Sequence, residues 1–483
     1  EKQYHIFSQK KKWFVVAMVG ATGTLSVLTP YIYLPLLVTI AKEFNLGLGS
    51  VALTISLYFI FQGIFAMFWD AISDTFGRRP TYIYSIFTFL ATNIILSFSP
   101  NFAILLVFRG IQAAGIASVV SMGNGVILDM TPLPEADNFF KAYQGVRNAS
   151  MVFGPLLGGA LSNSLGFRSI FVLLLVLSST IFVLLLLSLP ETLRSVAGNG
   201  SVDLHGIHEP LLSKFNRWKG NVNTPPCVDE GEEDCVRPKV SVRMFLEPLL
   251  LLNEKDILLS LLFAGVTYAA WGMVLVSTAG LFNSVFGLND LFLGLAFIPN
   301  GLGAMVGSAV MGNVLERDFL EACSKHRAVH SLPPTFTLSR SSLPADFPLE
   351  RSRLARLPWV TMLFILSICF YGFSLASPSL TKRQGWIVLP LLLQFLIAVS
   401  TTSVCAIHQT LVSDLCPRQG ASSAAVNNLM RCSFAAVGVA LIQKIIKGAG
   451  VGPAFVALGF VIIILMPLPV LQWYFGSEWR RAR

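Results

Sequence analysis

The chain alternates long apolar runs with polar segments. A window of about 19 residues finds six apolar segments in the first part of the chain, at 13–40, 51–69, 81–98, 102–128, 141–163 and 168–189. Six more follow, at 257–282, 291–314, 358–377, 385–411, 421–446 and 452–475. Each is long enough to cross a hydrocarbon core of roughly 30 Å as a helix. The pattern predicts an all-α polytopic membrane protein with twelve transmembrane helices in two groups of six.

The polar segments set the domain boundaries. The chain divides into a tail at 1–12, a first bundle at 13–190, a linker at 191–256, a second bundle at 257–475 that contains a polar loop at 315–357, and a tail at 476–483. The linker carries paired prolines and an acidic run, a composition that builds little core of its own. The end of the polar loop, FPLERSRLARLP, predicts a short basic helix on the membrane surface with Leu349, Leu354 and Leu357 facing lipid.

Composition and charge support the membrane assignment. The chain is 54% hydrophobic and only 13% charged, against about 25% charged in soluble globular proteins. Lysine and arginine concentrate near both termini, in the linker and in the loop at 315–357, so the positive-inside rule places both termini in the cytosol. The net charge of +9 is therefore a topology signal and predicts no nucleic-acid partner.

We find no sequence pattern for an enzyme or a bound cofactor. The seven cysteines have no metal-ligand spacing, and no nucleophile with a base or phosphate-cradling loop is recognisable. We therefore expect neither a metal nor a cofactor.

Faint internal repeats relate the two groups of helices. The fifth span reads AYQGVRNASMVFGPLLGG and the eleventh AVNNLMRCSFAAVGVA, and in both an arginine, Arg147 or Arg431, precedes a glycine by seven residues. After the eighth span, GNVLERDF at 312–319 predicts a turn in which Glu316 and Arg317 repeat a charged turn that follows the second span. Repeats of this kind are typical of transporter halves related by duplication.

That charged turn after the second span reads FWDAISDTFGRRP, residues 68–80. Gly77 can adopt the positive φ of a tight turn, and Arg78 and Arg79 fall where the positive-inside rule places them. Asp74 can pair with an arginine or cap a helix N-terminus. A solvated turn with no further role is the alternative.

The turn resembles the loop signature G-x-x-x-D-R-x-G-R-R/K of the major facilitator superfamily. The matching residues are Asp74, Gly77, Arg78 and Arg79. Asp70 stands where that signature has its first glycine, and Thr75 where it has its first arginine. The resemblance implies that the aspartate and the arginines form a conformational gate, whose strength the extra charge of Asp70 can alter.

Two more segments resemble motifs of this superfamily. LLVFRGIQAAGIAS in the fourth span is similar to L-x-x-x-R-x-x-Q-G-x-G, with Arg109 and Gln112 in place. SMVFGPLLGG in the fifth span is similar to G-x-x-x-G-P-x-x-G-G, which marks the drug:proton antiporters, although Ser150 replaces its first glycine. The remaining matches to this antiporter motif are Gly154, Pro155, Gly158 and Gly159.

The resemblance covers nearly the whole chain and narrows to a fungal branch. LPETLRSVAGNG, DFPLERSRL and AVNNLMRC are similar to quinidine-resistance type multidrug exporters and to citrate or itaconate exporters. It implies two six-helix bundles around a central cavity, alternating access, proton antiport, a plasma-membrane location and a monomer.

The small residues of the fifth span predict close helix packing. Ser150, Gly154 and Gly158 are spaced by four and share one helix face, which lets a neighbouring helix approach. Ala304, Ser308 and Gly312 in the eighth span form the predicted matching face, with two further glycines beside it. Generic membrane-helix packing is the alternative.

Three arginines fall inside predicted spans, where each costs roughly 2.5–3.5 kcal/mol unless it faces protein or water. A cavity lined by Arg109, Arg147 and Arg431, with Gln112 and His408, would be cationic and would favour anionic substrates. His408 is the candidate for proton coupling because histidine titrates near neutrality. Snorkelling of Arg147 to the interface and an interfacial role for His408 are the alternatives.

The function predicted from these features is export of small organic compounds by alternating access, with organic anions such as citrate or itaconate favoured over cationic drugs. The alternatives are a multidrug:proton antiporter, an uptake symporter for sugars, and a solute receptor that binds without transport. Its predicted partners are the substrate, protons and the lipid bilayer.

Overall fold

The computed structural model describes residues 7–198, 206–218, 242–331, 344, 346–417 and 420–482. The long helices of the first half are α1 (Gln9–Glu43), α2 (Leu48–Phe76), α3 (Arg78–Ser97), α4 (Phe102–Met130), α5 (Leu133–Leu165) and α6 (Ser169–Ser188). Those of the second half are α7 (Lys255–Phe286), α8 (Asp290–Val329), α9 (Leu349–Ala376), α10 (Val388–Leu415), α11 (Gly420–Ala449) and α12 (Val451–Arg481). The predicted tails, linker and polar loop lie partly outside the described residues.

The predicted fold class of twelve long helices in two groups is confirmed. Eleven of the described helices are long and apolar enough to cross a membrane. The other one, α5, has 33 residues but is rich in glycine, serine and asparagine, which lowers its hydropathy. These small residues suit its position, because α5 packs against both α1 and α8.

The two halves repeat one packing arrangement. In the first half α1 packs against α5 and α2 against α4, and in the second half α7 packs against α11 and α8 against α10. Two further contacts, α2 with α11 and α5 with α8, join the halves. Exchanging the halves turns one of these contacts into the other, as expected of a pseudo-two-fold axis between duplicated units.

Because the number of spanning helices is even, both ends of the chain lie at the same end of the bundle. We call this end of the bundle the terminal end and the opposite end the distal end. Short helices of the linker also lie at the terminal end: Leu211–Trp218 packs on α6, and Val242–Leu250 packs on α2 and α11. In the second of these, the Phe245 ring stacks on Phe68 with centroids 5.3 Å apart. The linker therefore contacts helices of both halves.

The loop predicted at 315–357 differs from the structure. Helix α8 continues well past the predicted end of the span at 314, as far as Val329. The prediction that Leu349, Leu354 and Leu357 face lipid is wrong, because all three are buried. The apolar residues turn inward because Arg353, between them, is itself buried in an ion pair with Asp414.

Candidate functional site

Two arginines from different halves interact electrostatically inside the bundle. Arg147 lies on α5 and Arg431 on α11, and their guanidinium groups are close enough to repel one another electrostatically. Arg147 donates a hydrogen bond of 3.3 Å to the Asn148 side chain, and the Nε atoms of both arginines are buried without a partner. Among the described residues, neither arginine has a carboxylate within ion-pair distance. We call these two residues the arginine pair.

Aromatic side chains surround the arginine pair. The Arg431 guanidinium carbon lies 4.7 Å from the centre of the Tyr268 ring. Tyr31 of α1 interacts electrostatically with both Arg431 and Tyr268. The Tyr268 ring also contacts Phe59 of α2 and Trp271 of α7, with centroids 6.5 and 5.6 Å away. Cation–π contacts partly offset the positive charge, but they supply no negative charge. The site is thus cationic with aromatic walls.

Arg109 does not join this pair. It is fully buried, with its guanidinium carbon 4.1 Å from the Tyr33 ring centre and 4.8 Å from that of Tyr58. Its Nη1 donates to Gln112 Oε1 at 2.6 Å, and Gln112 Nε2 donates to Asn93 Oδ1 at 2.7 Å. This network ties α1, α2, α3 and α4 together, so Arg109 and Gln112 link helices of the first half.

His408 lies apart from the arginines as well. Its side chain on α10 is buried, and its ring packs on Phe263 of α7 with centroids 5.4 Å apart. Neither ring nitrogen has a hydrogen-bond partner within the part of the chain that the structure describes. The five residues predicted to form one site therefore occupy three places.

The charged turn between α2 and α3 forms a cluster at the terminal end. Arg78 Nη1 donates to Asp74 Oδ1 at 2.6 Å, and its Nε donates to Asp129 Oδ2, at the end of α4, at 3.1 Å. The guanidinium of Arg79 instead donates to three main-chain carbonyl groups, those of Leu186, Leu189 and Ile207. Arg78 thus links α2, α3 and α4, while Arg79 ties α3 to the end of α6.

Glu191 completes this cluster and was not predicted. Its carboxylate accepts hydrogen bonds from the main-chain N–H groups of Arg78 and Arg79, at 2.9 and 3.2 Å, and so caps the N-terminus of α3. Gly77 has φ +114°, and a Cβ there would collide with the Glu191 carboxylate. Both its backbone conformation and its neighbour therefore require glycine. We call Asp74, Arg78, Asp129 and Glu191 the N-half charge cluster.

Glu316 and Arg317 do not form a turn. Both lie inside the continuous helix Ile298–Val329, so the predicted turn is wrong. The corresponding ion pairs of the second half use other residues, which we call the C-half charge cluster. Its members are Asp318, Arg353, Arg356 and Asp414.

The C-half charge cluster repeats the geometry of the first half. Arg353 Nε donates to Asp414 Oδ2 at 2.7 Å, and Arg356 makes two hydrogen bonds to Asp318, of 3.0 and 3.1 Å. Asp414 lies in the last turn of α10, and Asp129 lies at the equivalent position in the last turn of α4. Each of these ion pairs joins residues of one half.

The glycines of α5 face two neighbours. A Cβ at Gly158 would overlap the Ile32 carbonyl oxygen of α1, and one at Gly154 would lie 3.1 Å from Tyr31 Cβ. On the adjacent face, a Cβ at Gly159 would overlap the Asp290 carbonyl oxygen of α8. Ser150 is buried, and its hydroxyl has no hydrogen-bond partner among the described residues. The Gly154 and Gly158 face thus packs within the first half.

The contact between the halves uses a part of α8 nearer the distal end than predicted. A Cβ at Gly294 would lie 2.5 Å from the Pro155 carbonyl oxygen, and one at Gly301 2.6 Å from that of Met151. A Cβ at Gly312, by contrast, would have open space around it. Of the predicted face at Ala304, Ser308 and Gly312, the Gly312 position therefore makes no close contact, and the closest approach to α5 falls at Gly294 and Gly301.

Asp290 stabilises the contact between α5 and α8 through hydrogen bonds at the distal end. Its Oδ2 accepts hydrogen bonds from Thr39 of α1 at 2.6 Å and from Ser162 of α5 at 2.5 Å. Both donors belong to the first half, whereas Asp290 begins α8. The structure is closed at the distal end.

Two related halves, a polar site between them and one closed end define a membrane transporter of the alternating-access type. Residues 19–439 match the family model of the Major Facilitator Superfamily, and the chain belongs to that family. It is a transporter, not an enzyme, and an integral membrane protein that acts on small molecules.

Relatives of this chain include exporters and antiporters. It is 36% identical over 480 residues to "Citrate exporter 1" of Aspergillus niger, covering 99% of this chain and 89% of the relative. It is 29% identical to "MFS antiporter QDR2" of Candida albicans, covering 97% and 90%. Its fold is similar to that of a D-xylose–proton symporter structure, with TM-score 0.64, 12% identity and 96% of each chain covered.

Proposed function

We propose that this protein exports small organic anions, in particular di- and tricarboxylates such as citrate or itaconate. The observation that carries the proposal is the arginine pair, in which two guanidinium groups from opposite halves interact electrostatically and have no carboxylate partner among the described residues. An anionic ligand would stabilise two buried guanidinium groups that have no carboxylate partner among the described residues. A ligand with two or more carboxylates can contact one arginine of each half.

The similarity of the chain to a named exporter also supports small organic anions as the substrate class. The name "Citrate exporter 1" describes export of a tricarboxylate, which fits a site with two guanidinium groups. Bidentate binding of carboxylates is the geometry for which arginine is best suited.

In the proposed transport cycle, both termini are cytosolic and the terminal end opens to the cytosol. The anion enters there, binds the arginine pair, and leaves after the halves rock about it. The proposed location is the plasma membrane, and a monomer contains the whole pathway.

Coupling to protons is the second element of the proposal. Antiport of protons against the substrate is implied by the resemblance to drug:proton antiporters. The membrane potential provides a different driving force of about 2.3 kcal/mol per charge per 100 mV, which suffices to export an anion from a negative-inside cell. Efflux measured with a pH gradient alone and with a potential alone separates the two.

The test uses purified protein in liposomes loaded with radiolabelled citrate or itaconate. We expect Arg147→Gln and Arg431→Gln each to weaken carboxylate transport by about 30-fold, since loss of one buried charge contact costs about 2 kcal/mol or more. Arg168→Gln is the matched control, because Arg168 pairs with Glu43 in an exposed position at the distal end. Its efflux should equal that of the unaltered protein.

The other outcomes identify the rival functions. Efflux of a lipophilic cation without efflux of citrate or itaconate would identify the protein as a multidrug:proton antiporter. Two features favour this second function, namely the aromatic walls of the site and the similarity to QDR2. Tight carboxylate binding without any flux would identify a solute receptor. Either result would overturn the proposal.

A further inference from the structure

Asp70 is a carboxylate near the terminal end that no ion pair described above uses. It lies on α2 and is half-buried, one helical turn before Asp74. Its Oδ1 is 2.5 Å from the Ser121 hydroxyl oxygen of α4. In the resembling loop signature this position holds a glycine, so the carboxylate is a feature of this chain.

The hydrogen bonds around Asp70 fit a protonated carboxyl group. The Ser121 hydroxyl lies 2.5 Å from Asp70 Oδ1 and 2.9 Å from the Ser118 carbonyl oxygen. A hydroxyl has one proton, so it can donate to only one of these acceptors. When Asp70 carries a proton, it donates to Ser121, and Ser121 donates to Ser118, so both hydrogen bonds form. When Asp70 is ionised, one of the two is lost.

The charges that face Asp70 also favour its neutral form. Asp74 lies on the same helix face and repels it, while Arg78 of α3 attracts it. Arg78, however, is already bound to Asp74 and Asp129. An ionised Asp70 is therefore a third carboxylate around one guanidinium.

Among the described residues, the remaining neighbours of this region supply no cation that pairs with Asp70. Tyr82 of α3 donates its hydroxyl to the Val119 carbonyl, and residues 420–430 of α11, which packs on α2 and α4, include no charged side chain. The linker helix Val242–Leu250 carries Arg243 and Glu247, whose side chains lie outside the described residues.

We propose that Asp70 is a proton-binding residue that makes the opening of the terminal end depend on the pH of the compartment it faces. Proton uptake neutralises the excess charge and completes the Asp70–Ser121–Ser118 chain, which stabilises the packing of α2, α3 and α4. Proton loss makes the cluster anionic, and the charge is better hydrated when this end is open. Asp70 is a positioning residue, since it acts on the gate and not on the substrate.

The first experiment follows main-chain hydrogen exchange of residues 66–76 and 119–130 in lipid nanodiscs between pH 5.5 and 8. The unaltered protein is compared with Asp70→Asn at each pH, so the intrinsic effect of pH on exchange cancels. We expect equal exchange at pH 5.5 and several-fold faster exchange in the unaltered protein at pH 8. Equal exchange at every pH, or a difference that does not change with pH, would overturn the proposal.

A transport experiment measures the consequence for export, and it rests on the proposed function. The ratio of citrate efflux in the unaltered protein to that in Asp70→Asn is expected to fall severalfold as the pH on the terminal side falls from 8 to 5.5, because proton uptake by Asp70 favours closure of the end at which citrate enters. Taking the ratio at each pH cancels the titration of citrate itself. Asp74→Asn is the comparison, because Asp74 is held by Arg78 and its loss should change the rate without removing the pH dependence. A ratio that does not change with pH refutes the role of Asp70.

The two readouts separate failure of the inference from failure of the proposed function. Hydrogen exchange needs no substrate, so it tests Asp70 even if citrate is not transported. If exchange behaves as expected and citrate efflux is absent, the pH-dependent gate stands and the substrate assignment falls.

Discussion

Replacing Gly159 by alanine tests how the distal end closes. A Cβ at this position would overlap the Asp290 carbonyl oxygen and lie 3.2 Å from the Gly294 Cα. Both obstacles are main-chain atoms, so no side-chain rotation relieves the clash. Overpacking of this kind costs about 1–3 kcal/mol. Because α5 and α8 belong to different halves, only the conformation in which they touch bears this cost.

The expected result is a shift toward the conformation that is open at the distal end. A cost of 1–3 kcal/mol in one conformation changes its population ratio by about 5- to 150-fold. Spin labels at Lys42→Cys on α1 and Ser284→Cys on α7, both exposed near the distal end, report the separation of the halves. In Gly159→Ala the longer distance should dominate the distribution.

Two glycines provide matched comparisons. Gly158→Ala clashes with Ile32 inside the first half, so it should lower thermal stability without changing the distances between the halves. Gly312→Ala has open space around it and should change neither. If Gly159→Ala leaves the distance distribution unchanged, the close α5–α8 contact is not what closes the distal end.

Two further predictions concern the charge clusters at the terminal end. Glu191→Ala removes the acceptor of the Arg78 and Arg79 N–H groups and should lower the free energy of unfolding by roughly 2–4 kcal/mol, measured as a drop in Tm in detergent; an unchanged Tm would contradict the capping role. Arg353→Ala breaks a buried ion pair and should cost about 3–5 kcal/mol, whereas Arg356→Ala breaks an exposed one and should cost at most about 1 kcal/mol. Equal Tm values for these two variants would contradict the difference in burial.

A hydropathy window predicted all twelve spans, because a bilayer requires a spanning helix to be predominantly apolar. The signal is weakest for α5, whose small polar residues lower its hydropathy. The same signal misplaces the end of α8, since a helix that leaves the membrane becomes polar, and a window of hydropathy treats it as a loop. Glu316 and Arg317 were assigned to a turn for this reason. The helical spacing of the apolar residues in this segment would have been the better signal for where α8 ends.

The charged residues show a second limit. Arg147 and Arg431 were predicted because each is a charged residue inside an apolar span, a pattern that is visible within one segment. Glu191, Arg353 and Asp414 were missed as members of the charge clusters because each meets a partner more than fifty residues away. Such pairs follow from the packing of the halves, which a single sequence does not display.

The glycines of α5 illustrate the same limit in packing. Their spacing correctly predicts a close approach of helices, because residues four apart share a face. It does not say which helix approaches. The Gly154 and Gly158 face meets α1 of the same half, and the contact between halves falls on Gly159 and its neighbours.

The arginine pair connects the charge of the substrate with the motion of the halves in the proposed mechanism. Two like charges inside a protein repel one another more strongly than in water, because the effective dielectric constant is lower. Arg147 and Arg431 move with different halves, so this repulsion opposes every conformation that brings them together with the site empty. A carboxylate ligand between them replaces repulsion by attraction to both. The loaded transporter therefore closes around its substrate more readily than the empty one, and the negative charge of the substrate is itself what drives the closure.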